Sequence, residues 1–302
     1  MSRTLRNSLI IAAAIAVIGL IIGIVAFAFG GLLGVSIGPD GVMLAKERRD
    51  IRSISETYTT INSLDVNVDL RDVIIKHGDQ FKIESKGVGK NFNLENINNN
   101  IIISEKGSTG NIINLFNFTN ERKTHEDLYI TIPKSIPLVE IKVGVDSGKI
   151  NISDVQADKI ITDNDLGDVN ISNVTANTVT ATADSGSINL KNTNTSIFEF
   201  SGDLGDINAE NITAREVKGN SSSGGVDISG TITGPIDISN DLGDIDLMLI
   251  GQEPSYSYEI ETDLGDIEID GKGYGSKVLK EYDNKPMIKL YADSGSVNID
   301  FK

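Results

Sequence analysis

Cysteine and tryptophan are both absent from the 302-residue chain, and histidine occurs only twice. Without cysteine there can be no disulfide framework, no thiolate zinc site and no cysteine nucleophile. His77 and His125 have no second metal-ligating residue at a recognised spacing, so we expect both at the surface. The histidines also lack the sequence context of a Ser-His-Asp site. These absences leave carboxylates as the main source of chemistry in the chain.

Basic residues are scarce relative to acidic ones. The chain has 27 Lys and Arg against 43 Asp and Glu, a net charge of −16. The imbalance is strongest between residues 145 and 270, which hold 24 acidic and 5 basic side chains. Binding to nucleic acid depends on Lys and Arg contacts to phosphate, so this composition argues against a nucleic-acid partner.

A four-residue motif with glycine in third place recurs along the chain. From Gly148 to Gly243 its glycines follow one another at a constant interval, and further copies centre on Gly265 and Gly295. A fixed period of this size, about 19 residues, is the signature of a solenoid. Because the glycine is third in a turn, we expect it to have the positive φ of a type II turn. The copies are Asp146–Lys149, Asp165–Asp168, Asp184–Ser187, Asp203–Asp206, Ser222–Gly225, Asp241–Asp244, Asp263–Asp266 and Asp293–Ser296.

Each glycine is followed by alternating apolar residues, such as Ile150 and Ile152 after Gly148. This alternation predicts a half-buried β-strand and an all-β fold. Two coil lengths fit the repeat. Alternation of Ser and Leu at the second motif position favours a doubled coil of about 38 residues, in which Ser would stack on Ser and Leu on Leu. Alternation at the fourth position keeps like charges off adjacent coils and favours a coil of about 19 residues, the length we expect.

The repeated strands, with Gly, then Asp, Ser or Lys, then alternating apolar residues, resemble the bacterial "putative adhesin" β-strand-repeat family. This is a group of domains of unknown function, and the resemblance covers roughly residues 54–302. It implies a right-handed, single-stranded β-solenoid. The membrane-anchored type is similar to accessory proteins of envelope-stress operons in Gram-positive bacteria.

The N-terminus carries a predicted transmembrane helix. Leu9 to Phe29 is uncharged, and its 21 residues would span about 31 Å as a helix, the thickness of a hydrocarbon core. Arg3 and Arg6 favour a cytoplasmic N-terminus. The expected location is therefore the cell membrane, with the C-terminal domain outside. A signal peptide cleaved after Ala28 is the alternative. Gly19 and Gly23 form a G-x-x-x-G pattern that would permit a homo-oligomer through the helix.

The rest of the chain divides by its repeat content. The predicted divisions are 1–34 as cytoplasmic tail and anchor, 35–57 as linker, 58–145 as β-rich cap, and 146–302 as solenoid with an inserted loop near 271–283. Within them, a few helical turns are predicted in 42–58, a hairpin turn at His77-Gly78-Asp79, and a loop over 91–100. The cap is expected because a terminal coil needs cover for its unpaired edge.

Carboxylates recur at the first motif position, and they are the candidate metal ligands. Stacked coils would lie about 4.8 Å apart, so the like charges would repel. Ca²⁺ held between the carboxylates would offset that repulsion; hydrogen bonds from backbone N–H groups are the alternative. No other cofactor is predicted. The candidate ligands are Asp146, Asp165, Asp184, Asp203, Asp241 and Asp263.

The predicted function is that of a non-catalytic module on the surface of the cell envelope, adhesin-like or accessory to envelope signalling. Its expected partners are the cell membrane and a cell-wall polymer or an envelope-signalling membrane protein. Two alternatives remain, a self-assembling solenoid scaffold and a polysaccharide-active enzyme with paired carboxylates. Against the enzyme, a catalytic acid should occur once, whereas these acids obey the repeat.

Overall fold

The computed structural model describes Gly19 and residues 34–38, 41–44, 52–105, 113–117, 127–133 and 137–302. Its regular elements in these ranges are strands and one 3-10 turn, Glu253–Ser255. The predicted transmembrane segment Leu9–Phe29 lies outside the described residues, apart from Gly19. Within the described part of the chain, we find no helix with the length and apolarity needed to cross a membrane.

The strands of the first part of the chain, in order, are β1 (Gly34–Gly38), β2 (Gly41–Leu44), β3 (Arg52–Tyr58), β4 (Ser63–Val68), β5 (Val73–His77), β6 (Phe81–Val88), β7 (Phe92–Ile97), β8 (Asn100–Glu105), β9 (Ile113–Asn117) and β10 (Leu128–Ile132). Strands β1, β2 and β9 belong to one unit of the chain and form an antiparallel sheet in the order β2-β1-β9. The other 25 strands belong to the second unit and form one continuous sheet.

The second part of the chain contributes β11 (Leu138–Ser147), β12 (Ile150–Ser153), β13 (Gln156–Leu166), β14 (Val169–Ser172), β15 (Thr175–Ser185), β16 (Ile188–Lys191), β17 (Asn194–Leu204), β18 (Ile207–Ala214), β19 (Glu216–Ser223), β20 (Val226–Ile232), β21 (Ile236–Leu242), β22 (Ile245–Leu249), β23 (Ser257–Leu264), β24 (Ile267–Ile269), β25 (Lys272–Gly275), β26 (Lys277–Lys280), β27 (Met287–Ser294) and β28 (Val297–Phe301).

These strands stack in two parallel columns. The first column runs β11-β13-β15-β17-β19-β21 and the second β12-β14-β16-β18-β20-β22. Partners in register are one sequence repeat apart, as in Ile150 with Val169 and Val217 with Ile236. One strand from each column, joined by the glycine motif, makes one rung. Because side chains alternate along a strand, every second residue points into the core between the columns.

At the C-terminal end the order in space departs from the order in the chain. Strand β27 lies between β21 and β23, and β28 lies between β22 and β24. The last rung of the sequence is therefore the last but one in the stack. The predicted inserted loop near 271–283 contains β25 and β26, which pair antiparallel with β24 and β23 and cover the end of the stack.

The N-terminal end is covered by antiparallel strands as well. Strands β4 and β5 continue the two columns in parallel, and β8 and β10 follow them. Strand β7 then pairs antiparallel with β8, while β6 pairs antiparallel with β10 and with β3. The cap thus adds two parallel strands to each column before antiparallel strands cover the end of the stack.

Three local predictions in this region are wrong. His77-Gly78-Asp79 is not a hairpin turn, because β10 lies between β5 and β6 and pairs with both. The predicted loop over 91–100 forms the β7–β8 hairpin, whose turn residues Asn98 and Asn99 have positive φ. Asparagine tolerates that conformation, so an Asn-rich stretch can close a hairpin. In the segment predicted to be helical, Arg52–Tyr58 forms β3.

The core between the columns is mainly Ile, Val and Leu. Middle rungs carry small inward residues, and the Phe198 and Phe200 rings, 5.4 Å apart between centroids, occupy the space that they leave. Gly219 on the next rung lies under Phe200, so close that a Cβ there would be 2.4 Å from the ring. The alternation read from the sequence is therefore the alternation that packs the core.

Candidate functional site

The glycine motif forms the corner between the two strand columns, and its four positions make four lines of residues down the stack. At the third position, φ lies between 129° and 152° from Gly148 to Gly243. The predicted positive φ is present at these six glycines and is wrong for Gly265 and Gly295. The predicted type II turn is also wrong, because that turn needs about 80° at this position. The glycines are required for a second reason. A Cβ on Gly205 would be 2.4 Å from the carbonyl oxygen of Gly186 on the preceding rung.

The fourth motif position carries Asp on every second rung, and that Asp binds the next rung. The Asp206 carboxylate accepts a hydrogen bond from the Gly225 backbone N–H at 2.9 Å, and Asp168 accepts one from Ser187 at 3.3 Å. Asp72 and Asp244 receive the same bond from Lys149 and Ser296, at 2.8 and 2.7 Å. Each such Asp therefore satisfies a backbone donor at the corner, where the strand ladders are interrupted.

Lys149 adds an ion pair at the start of this line. Its Nζ is 2.8 Å from Asp168 Oδ2. The hydrogen bond from Lys149, followed by that from the Ser187 N–H, lowers the pKa of Asp168 below its ordinary value of 3.8. Asp168 is consequently held as a carboxylate, the form that accepts both hydrogen bonds.

The second motif position places leucine and serine alternately on the outside of the corner. In spatial order the line reads Leu70, Ser147, Leu166, Ser185, Leu204, Ser223, Leu242, Ser294, Leu264. We call its five leucines, which are between 55% and 71% exposed, the leucine row. The alternation has no exception over nine rungs. An exposed apolar side chain at every second rung has no role in the core, so it is a feature of the surface.

The first motif position carries the six predicted calcium ligands, and all six are exposed. The register adds Asp69 before Asp146, and it adds Asp293 between Asp241 and Asp263. Among the residues that the structure describes, no group of three or more acidic or histidine side chains is close enough together to hold a metal ion. Ca²⁺ binding by Asp146, Asp165, Asp184, Asp203, Asp241 and Asp263 stays a prediction.

The electrostatics of this line are those of crowded like charges. Loss of hydration, and then the nearby carboxylates of Asp69 and Asp165, raise the pKa of Asp146 above its ordinary value of 3.8. A proton or a cation at Asp146 would lower this local density of negative charge.

One copy of the motif was missed in the sequence. Asp69-Leu70-Arg71-Asp72 occupies the corner of the rung before Gly148, with arginine at the glycine position. The Arg71 guanidinium is buried and donates to both Glu105 carboxylate oxygens at 2.6 and 2.7 Å, and to Ser85 Oγ at 2.7 Å. The Asp-Leu-x-Asp pattern was the available signal. At this rung the line of glycines therefore ends, and a buried arginine with polar partners takes its place.

A ladder of amides runs along the second strand column. Asn170, Asn189 and Asn208 each donate from Nδ2 to Oδ1 of the Asn one rung earlier, at 3.0 to 3.1 Å, starting from Asn151. The next side chain in register is Asp227. Desolvation, and then Asp246 and Asp206, raise the pKa of Asp227 above 3.8.

The structure describes one of the two histidines. His77 has Nδ1 3.3 Å from the Ile132 carbonyl, and His125 lies outside the described residues. The carboxylates of the motif repeat along the corner, and four at its fourth position, those of Asp72, Asp168, Asp206 and Asp244, accept backbone N–H groups. What the geometry supplies is a long, regular and acidic surface with an apolar line along it.

Comparison with solved structures finds matches of low identity among bacterial proteins, and the first of them has a TM-score above 0.5 and shares the fold. A crystal structure of a "putative adhesin" from Bacteroides fragilis is 16% identical, with a TM-score of 0.52, and the match covers 84% of this chain and 98% of that one. A "putative adhesin" from Parabacteroides distasonis is 13% identical, with a TM-score of 0.45 and coverage of 82% and 97%. A "putative lipid binding protein" from the same organism is 14% identical, with a TM-score of 0.43 and coverage of 83% and 97%.

None of the curated proteins matches the chain. A family model does, and it spans residues 61–301, from the first rungs of the cap to the last strand. These are the residues that build the two strand columns and their glycine corner. The chain therefore belongs to the family described as Toastrack DUF4097, a domain of unknown function.

Proposed function

We propose that this chain is a non-catalytic module that an N-terminal membrane anchor displays outside a bacterial cell, where it binds a partner as an adhesin or as an accessory to envelope signalling. The module is a right-handed solenoid with a coil of about 19 residues. The observation that carries the proposal is the corner surface, which keeps the same exposed pattern over nine rungs. A repeated surface suits an extended contact better than a single reaction.

The hydrogen bonds of the corner support a non-catalytic role. Asp72, Asp168, Asp206 and Asp244 all accept a backbone N–H from the following rung. A carboxylate that accepts a backbone N–H in this way is committed to the fold. A general acid needs instead a pKa raised towards the working pH and one position that differs from the rest.

The ends of the stack argue against the alternative of a self-assembling scaffold. End-to-end growth needs parallel rungs with open edges at both ends. Here β7 and β3 cover one end and β26 and β25 cover the other, all by antiparallel pairing. The C-terminal cover also carries Lys272, Lys277 and Lys280, and charged edge strands are a common means of preventing edge-to-edge association.

The placement outside the cell rests on the N-terminal sequence. Leu9 to Phe29 has the length and apolarity of a membrane helix, and Arg3 and Arg6 precede it. The similar B. fragilis protein is described as a "putative adhesin", which agrees with a role at the surface, although 16% identity supports the fold alone.

The natural absence of cysteine allows a direct test of this topology. We would express two full-length variants in bacteria, Gln156→Cys on the exposed solenoid surface and Ser2→Cys at the N-terminus. A membrane-impermeant maleimide should label Gln156→Cys in intact cells, and should label Ser2→Cys only after lysis. The parent chain, which has no thiol, is the control for background. Protection of Gln156→Cys in intact cells, with labelling after lysis, would contradict the proposal.

A further inference from the structure

The leucine row is arranged as a linear binding surface. Its leucines, Leu70, Leu166, Leu204, Leu242 and Leu264, occupy every second rung of the corner. Parallel strands lie about 4.8 Å apart, so neighbouring leucines are about 9.6 Å apart and the row is about 38 Å long. Exposed apolar side chains that are scattered singly are normal, and contiguous apolar patches mark interaction sites. The leucine row is neither a random scatter nor a contiguous patch, but a straight line with a fixed interval.

The charges beside the row restrict the occupant. On one side lies the line of first-position aspartates, eight carboxylates from Asp69 to Asp263 with Ser222 as its exception. On the other lie Asp72, Asp168, Asp206, Asp244 and Asp266, where the neighbouring cation, Lys149, is already paired with Asp168. A second copy of this surface, or an anionic lipid surface, would be repelled. An occupant must bring apolar groups for the row and positive charge for both flanks.

The spacing restricts the conformation of that occupant. A polyproline II segment has three residues per turn and rises about 3.1 Å per residue, so every third side chain recurs after about 9.3 Å. Over the four intervals of the row it falls out of step by about 1 Å. An α-helix presents every seventh side chain after about 10.5 Å and would be out of step by nearly 4 Å.

We propose that the leucine row binds a cationic polypeptide segment in an extended, polyproline II conformation, with an apolar residue at about every third position and Lys or Arg between. About 13 residues would reach all five leucines. The proposal deepens the proposed display function, because it names the surface and the partner class. It is tested in solution on purified chain, so its failure would leave the labelling result for topology unaffected.

The experiment uses two synthetic peptides of identical composition. The first is five repeats of Leu-Lys-Pro, and the second has the same residues with the leucines contiguous. Binding to the full-length chain is measured by fluorescence anisotropy at physiological salt, where unspecific charge attraction is screened. We expect the repeat peptide to bind at least about tenfold more tightly than the rearranged one, a difference of about 1.4 kcal/mol.

Two sets of variants locate the contact. Serine occupies the same corner position on alternate rungs, so Leu166→Ser, Leu204→Ser and Leu242→Ser together should leave the fold intact, which far-UV circular dichroism would check. This triple variant should lose at least about tenfold in affinity for the repeat peptide. The matched control changes three apolar residues away from the row that are 57% to 61% exposed, and it should bind as the parent does: Val139→Ser, Ile250→Ser and Leu279→Ser.

Three results would overturn the proposal. The first is the absence of binding by the repeat peptide. The second is equal affinity for the two peptides, which would mean that charge alone attracts them. The third is unchanged affinity in a folded leucine-row variant, or an equal loss in the control variant, since either would place the contact elsewhere.

Discussion

Glycine can be required at the corner for two physical reasons, a positive φ or a close approach of other backbone atoms, and substitutions can separate the two. Gly205 combines a φ of 136° with a close approach, since an added Cβ would lie 2.4 Å from the Gly186 carbonyl oxygen. Gly265 has the close approach, 2.1 Å to the Gly295 oxygen, but lies outside the positive-φ region. Gly275 has a φ of 72° and no atom within 4 Å of the added Cβ. Gly273 has neither constraint.

Alanine substitutions at these four positions should therefore differ in a fixed order. A non-glycine residue in a sparsely populated backbone region costs about 1–3 kcal/mol, and forcing an extra carbon into packed structure costs a similar amount, about 1–3 kcal/mol. We expect Gly205→Ala to lose about 2–6 kcal/mol of unfolding free energy, and Gly265→Ala about 1–3. Gly275→Ala should lose about 1–2 kcal/mol, and Gly273→Ala less than about 0.5 kcal/mol.

The assay is denaturant unfolding of each full-length variant followed by far-UV circular dichroism, because the chain has no tryptophan to report by fluorescence. Gly273→Ala is the control for any general effect of adding a methyl group. If Gly205→Ala were no more destabilising than Gly273→Ala, the stacked glycine corner would be wrong. If Gly265→Ala matched Gly273→Ala while Gly275→Ala did not, backbone conformation alone would explain the glycines.

Three further predictions concern charge. Asp227→Asn should extend the amide ladder from Asn208 and stabilise the fold at pH 7 by no more than about 1 kcal/mol, because the site is exposed, and thermal unfolding would measure the gain. Because the folded-state pKa of Asp227 is raised, its ionisation destabilises the fold as pH rises, so the melting temperatures of variant and parent should converge below pH 3.8. Glu105→Ala should cost about 3–5 kcal/mol in denaturant unfolding, because it removes the carboxylate that pairs with the buried Arg71 guanidinium, whereas Arg71→Met with Glu105→Leu should cost far less. Millimolar Ca²⁺ should raise the melting temperature relative to chelator at matched ionic strength if the first-position aspartates bind it, and an unchanged value with no heat of binding would remove the ion.

The features that could be predicted from the sequence are those that each rung specifies by itself. A strand such as Ile150–Ser153 is set by alternation, and the corner before it is set by glycine, so every copy of the repeat specifies the same local structure. Stacking identical rungs then follows, because each one must bury its apolar side chains against a neighbour. The pattern of exposed residues at the corner could be predicted in the same way. The hydrogen bonds that these residues make could not be predicted, since a bond such as that from the Ser187 N–H to Asp168 joins two different rungs.

The cap could be predicted only in outline, because its residues depart from the repeat where they are most important. Arg71 occupies a glycine position, and its partner Glu105 lies 34 residues further along the chain. A pairing of that kind does not follow the sequence repeat, so the repeat cannot predict it. The Asn-rich stretch before β8 gave a misleading signal for a similar reason. Asn98 and Asn99 are residues typical of loops, yet here they form the tight turn of a hairpin whose strands are fixed by tertiary pairing.

The last rung of the sequence shows that the alternation of leucine and serine follows the order of the rungs in space and not their order in the chain. Read along the chain, the second motif position ends Ser223, Leu242, Leu264, Ser294, and the alternation fails. Read in space, Ser294 lies between Leu242 and Leu264, and the alternation is complete. If these residues only faced solvent, the choice of leucine or serine would not depend on the residue at the same position of the adjacent rung. The alternation follows spatial neighbours and not chain neighbours, which is what we expect if the assembled corner, with its Asp-to-backbone bonds and its leucines two rungs apart, is the unit that the sequence encodes.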